Sequence, residues 1–95
     1  MEQINISIFD VRLGETTNWL IFEARVGRLD NHRIYSFAFC GTELNHSLSL
    51  LDSDIENLRE QLYNDFGYPP FDIQKAKRIL GTGKEYILIR GKASD

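Results

Sequence analysis

The side chains in this sequence best suited to holding a transition metal are the imidazoles of His32 and His46 and the thiol of Cys40. Zinc sites draw their ligands in close pairs, only a few residues apart, and these three residues follow no such pattern. Both histidines fall beside turns, where exposed polar side chains are the expected reading, so neither a metal nor any other cofactor is expected. Cys40 ends the largely apolar run Tyr35–Phe39 and reads as a buried free thiol. A single cysteine has no intramolecular disulfide partner, and nothing points to an oxidising compartment.

Phosphate chemistry would be the use of Gly81-Thr82-Gly83-Lys84, but the order of elements around it is reversed. A phosphate-binding loop follows a strand, spaces its glycines further apart and opens a helix. Here a helix precedes and a strand follows, so the glycines read as a helix end and a tight turn. Acid–base or nucleophilic catalysis has no better foothold. No serine stands in a Gly-x-Ser-x-Gly elbow. The close carboxylates Asp52, Asp54 and Glu56 fall in the first turn of a helix, where acids favour the positive end of the dipole. Catalysis is therefore the disfavoured reading, and no catalytic residue is named.

Binding chemistry is better supplied. The connection Phe66-Gly67-Tyr68-Pro69-Pro70-Phe71 carries three aromatics and two prolines where linkers are ordinarily polar. Prolines reduce the entropy lost on association, and aromatic rings supply contact area. Phe66 is expected to turn inward. Tyr68, Pro69, Pro70 and Phe71 are the expected contact surface, with Trp19, after a polar turn, as a second anchor.

Charge is segregated along the chain. From Asp52 to Asp72 the acids Asp52, Asp54, Glu56, Glu60, Asp65 and Asp72 face only Arg59, a net of −5. From Gln74 to Lys92 the bases Lys75, Lys77, Arg78, Lys84, Arg90 and Lys92 face only Glu85, a net of +5. Attraction between two neighbouring helices is the simpler explanation, since exposed pairs are common and weak. The basic residues also form a candidate patch for nucleic acid. Against that reading, the whole chain carries −3 and lacks a domain-wide basic footprint.

These side chains must be positioned by a mixed set of elements. Ile4, Ile6 and Ile8 alternate with Asn5 and Ser7, the period of a half-buried strand. Trp19–Val26 and Arg33–Cys40 continue the alternation across polar turns at Leu13–Asn18 and Gly27–His32, which implies an antiparallel meander. Arg33–Cys40 is apolar on both faces and is expected to be central, or to meet a helix or a partner on its second face. Leu44, His46, Leu48 and Leu50 share a face and mark a fourth strand. Ser53 with Glu56 fits a capping box for a helix whose core stripe is Ile55, Leu58, Leu62 and Phe66. Gly67 and the two prolines end it. A shorter helix starts at Asp72 and presents Ile73, Ala76 and Leu80. Lys84–Arg90, apolar on both faces, is expected to be an interior strand.

The expected fold is α+β: an antiparallel sheet of four to five strands with two helices on one face, in the order β-β-β-(β)-α-α-β. At 95 residues, the expectation is a single domain spanning residues 1–95. No leader or membrane-spanning run is seen, so the expected address is the cytoplasm. The leading functional expectation is a small non-enzymatic protein-binding module, acting as adaptor, inhibitor or regulatory subunit. Its expected partner is another protein, with a homodimer kept open. The alternatives are a nucleic-acid-binding domain using the basic C-terminal segment, and a small enzyme or ligand-binding domain.

Overall fold

A computed structural model describes residues 2–16, 18–28, 31–46 and 50–90. The chain runs β1 (Glu2–Leu13), β2 (Leu20–Arg28), β3 (Asn31–Phe39), β4 (Leu44–His46), α1 (Asp52–Phe66), α2 (Ile73–Leu80) and β5 (Glu85–Arg90). All strand pairings are antiparallel, and the sheet order is β4-β3-β2-β1-β5. The fold is thus the expected α+β arrangement. The two helices carry the chain from one edge of the sheet to the other, placing β5 beside β1.

One face of the sheet carries the core. Ile4, Ile6 and Ile8 alternate inward as their period requires, opposite Val26 and Ala24 on one side and Leu88 and Tyr86 on the other. The inward phase then jumps from even to odd positions. A bulge at Phe9 sets Ile8 against Ala24 and Asp10 against Glu23, which returns Val11 to the buried face opposite Phe22. Phe22 stacks on Phe37 with ring centroids 5.1 Å apart, and Leu20 lies opposite Phe39.

The helices close this face. In α1, Leu58 and Leu62 are fully buried, with Ile55 and Phe66 packed at their margins. In α2, Ala76 is buried, and Ile73 and Leu80 pack against the same cluster. Asp72 caps α2 as expected, its carboxylate accepting from the Gln74 and Lys75 amides at 3.0 and 3.2 Å. Gly81-Thr82-Gly83 is the turn that ends α2, with the Gly83 amide donating to the Leu80 carbonyl.

Three expectations are corrected. β5 is an edge strand, not an interior one: Tyr86 and Leu88 enter the core, while Ile87 and Ile89 lie on the opposite, uncovered face. α1 starts two residues earlier than a Ser53 cap would allow. Leu51 occupies the cap position without a side-chain hydrogen bond, and Glu56 pairs with Arg59 instead of reaching back. Cys40 is half-buried, its sulfur 3.5 Å from the Thr42 hydroxyl, because the strand has already ended there. Among the expected fourth-strand residues, Leu48 lies outside the described residues.

Candidate functional site

Residues after α1 build a small aromatic surface on a fixed base. Gly67 adopts φ +74°, a conformation that glycine enters without Cβ strain, and its amide caps the Tyr63 carbonyl at 2.8 Å. The chain then turns through a cis Pro69–Pro70 peptide bond. Phe71 returns to the core, where its ring lies 5.8 Å from that of Phe39. At 7% exposed it is an internal anchor, which corrects its assignment to the contact surface. Pro69 is half-buried and Pro70 exposed.

Tyr68, between these two fixed points, is 58% exposed. Its ring stands edge-on to Tyr63 at 4.9 Å between centroids, with planes at 66°. This is a favoured geometry for aromatic rings, whose positive edges seek negative faces. Beneath it lies Gly41, at φ +99°. A Cβ on Gly41 would sit 2.6 Å from Cδ1 of Tyr68, so the ring rests on bare backbone. The Gly41 carbonyl in turn accepts a 3.0 Å hydrogen bond from Nη1 of Arg59, joining α1 to the connection after β3. The remaining nitrogens of Arg59 hold Glu56. That hydrogen bond, assisted by the guanidinium charge, holds Glu56 below the usual carboxylate range and Arg59 above its own ordinary value.

The exposed side of α1 continues this surface. Asp52, Glu56, Glu60 and Tyr63 recur at helical spacing on the outer face. Sequence reasoning missed Tyr63, Arg59 and Gly41. Tyr63 carried a usable signal, since it is an aromatic lying off the Ile55–Leu58–Leu62–Phe66 core stripe. The support from Gly41 depends on tertiary contact and had none. Trp19 is half-buried at the start of β2, where its carbonyl accepts from the Gly14 amide at 2.9 Å. Because Leu20 pairs with Phe39, Trp19 and Gly41 lie at the same end of the sheet.

The basic residues separate. Lys75, Lys77 and Arg78 are exposed on α2. Lys84 is drawn away from them: its ammonium lies 3.1 Å from Asp65 and 5.4 Å from the Tyr86 ring centre. The side chain of Arg90, and Lys92 entirely, lie outside the described residues. α1 packs on β5 and α2 on β1, and the ion pair of Lys84 with Asp65 joins the acidic segment to the basic one.

An open groove of about 300 Å³ lies between the β1 bulge and the end of α2, and its charged lining residues, Asp10 and Lys77, are both exposed. His32 and Cys40 sit at opposite ends of β3, roughly 26 Å apart at strand rise, and both histidines lie on strands and not in loops. Among the described residues no three His, Cys, Asp or Glu side chains gather as a metal site. Nor is any described helix long and apolar enough to cross a membrane.

Comparison with known proteins returned no matching family model, no matching curated protein and no matching solved structure.

Proposed function

We propose that this chain is a small non-enzymatic protein-binding module, an adaptor, inhibitor or regulatory subunit, that engages its partner through Tyr68 and the outer face of α1. The observation that carries the reading is the combination of exposure and bracing at Tyr68. Its ring is open to solvent yet held by Tyr63 at its side and by the bare backbone of Gly41 beneath. An aromatic ring already fixed in place loses little conformational entropy on binding, and tyrosine is enriched among the residues that dominate interface energetics.

Glu60 beside it, and Asp52 further along the same outer face of α1, fit a partner whose surface is basic around an apolar pocket, while Glu56 is paired with Arg59. Such charges act mainly on orientation and association rate. The compartment that goes with this reading is the cytoplasm, since the single cysteine forms no structural disulfide within the chain. Nucleic-acid binding is less well supported: Lys84 is engaged by Asp65, which leaves the three exposed α2 cations as the described part of the basic patch.

The test is capture of partners from native lysate by the tagged chain, with and without nuclease, beside Tyr68→Ala and an Asp52→Asn/Glu60→Gln double variant. A discrete protein that survives nuclease, is lost with Tyr68→Ala and is weakened by the double variant agrees with the proposal. Equal retention by all three chains, at matched melting temperature, overturns it. So does capture that nuclease abolishes.

A further inference from the structure

The face of the sheet opposite the helices is uncovered and apolar in patches: Phe9, Ile34, Ile87 and Ile89 are 43, 58, 41 and 44% exposed. The sheet edges offer less. β4 is three residues long, and the outward carbonyl of Ile87 on β5 already accepts a hydrogen bond of 3.2 Å from Gln61 of α1. Short or covered edges are a common protection against strand addition.

The charges on the open face are arranged for self-recognition. Glu23 and Arg25 are two residues apart on β2 and point to the same side. On neighbouring β1, Asp10 pairs with Glu23 and Ser7 with Arg25, and Phe9, the extra residue of the bulge, falls between those two rows. The Arg25 guanidinium already covers the Phe9 ring at 4.5 Å. A two-fold axis lying in the plane of this face, across the strands and midway between Glu23 and Arg25, lays β2 antiparallel on β2 of a second copy. Each Glu23 then faces the other copy's Arg25, and Phe9, near the axis, meets its own counterpart. A closed two-fold contact requires self-complementarity of this kind.

From this register we infer that the uncovered sheet face binds a second copy of the chain, making a two-fold dimer with an apolar centre at Phe9 and reciprocal Glu23–Arg25 pairs. This surface is separate from the outer face of α1, so the dimer stands or falls independently of the proposed partner contact. With this axis β4 and β5 each lie on one side of it and fall outside the overlap. Strands β1–β3 at sheet spacing over about eight residues of rise give a footprint on the order of 300 Å², below the range of stable complexes and in that of weak, transient ones. The expected affinity is therefore weak, with a dissociation constant on the order of hundreds of micromolar.

Sedimentation velocity from low micromolar to near-millimolar concentration tests this with the intact chain. The wild type is expected to pass from monomer to dimer. Arg25→Glu and Glu23→Arg are each expected to weaken the dimer about tenfold or more by setting like charges opposite one another. The double variant Glu23→Arg/Arg25→Glu, which restores opposite charges across the axis, is expected to return to within about threefold of wild type. Circular dichroism and melting curves check that each variant folds. As a second measurement, Ser36→Cys in a Cys40→Ser background, exposed on the same face in the row of Glu23 and leaving Phe9 in place, is expected to be joined to its counterpart by a short bis-maleimide. A wild type that stays monomeric throughout overturns the inference. A dimer indifferent to the single variants, or a double variant no tighter than Arg25→Glu, overturns it equally.

Discussion

Tyr86 donates a 2.5 Å hydrogen bond to Asp65, tying the start of β5 to the last turns of α1. The ring is fully buried, and the same carboxylate holds Lys84 at 3.1 Å. Tyr86→Phe keeps the ring and leaves Asp65 with Lys84. It is expected to cost about 2 kcal/mol at neutral pH, the range for a hydrogen bond to a charged acceptor. Urea denaturation measures it.

The same contact sets an alkaline limit. Burial first, then the hydrogen bond to Asp65 and that carboxylate's charge, raise the pKa of Tyr86 far above its ordinary value of 10.0. The unfolded chain releases this proton near pH 10 while the native chain keeps it. The contribution is complete below that pH and is lost as pH rises beyond it. The stability difference between wild type and Tyr86→Phe is therefore expected to narrow above pH 10, by up to about 1.4 kcal/mol per pH unit. A difference that stays constant from pH 7 to about pH 11 would contradict the assignment.

Gly41→Ala tests the seat of Tyr68. The new Cβ would meet the Tyr68 ring at 2.6 Å and the Gly67 carbonyl at 3.2 Å, at a φ of +99° that alanine rarely adopts. Backbone strain alone is expected to cost about 1–3 kcal/mol. The displaced ring should also change the near-ultraviolet circular dichroism, because it leaves its edge-on contact with Tyr63. A variant as stable as wild type with an unchanged near-ultraviolet spectrum would mean that Tyr68 does not rest there.

Much of the sheet was legible because period-2 alternation reports which side chains face the core, and Ile4, Ile6, Ile8, Phe22 and Phe37 all obey it. The shift from Ile8 to Val11 and Leu13 was present in the sequence as a change from even to odd apolar positions, and it marks the bulge. What alternation does not encode is the neighbour of a strand. Lys84–Arg90 reads as interior because Ile87 and Ile89 make its second face apolar, yet that face is uncovered and the strand is an edge. At the candidate site, the braced tyrosine was half legible. Composition marked Tyr68 and Phe71 equally, and their difference comes from the Phe39 ring, which lies 32 residues before Phe71 in the chain and supplies the inward contact.

The helix starts separate in the same way. Asp72 accepts two amide hydrogen bonds, whereas Ser53 lies inside the first turn of α1 and caps nothing. Asp72→Ala is expected to cost about 1 kcal/mol and Ser53→Ala less than about 0.5 kcal/mol, read from urea midpoints. Equal losses would mean that Ser53 caps α1 in solution.

Tyr68 and Phe71 stand three positions apart and should respond oppositely to the same truncation. Phe71 is 7% exposed and packs its ring on Phe39, so Phe71→Ala leaves a cavity in the core. It is expected to cost about 3–5 kcal/mol, a large fraction of the stability of a domain this size. Tyr68 gives up an exposed ring and one edge contact with Tyr63, so Tyr68→Ala is expected to change stability by no more than about 1 kcal/mol. Chemical denaturation of the two variants side by side separates the internal anchor from the binding surface. If Tyr68→Ala proved as damaging as Phe71→Ala, the tyrosine would be a structural residue, and the partner contact proposed for it would lose its central side chain.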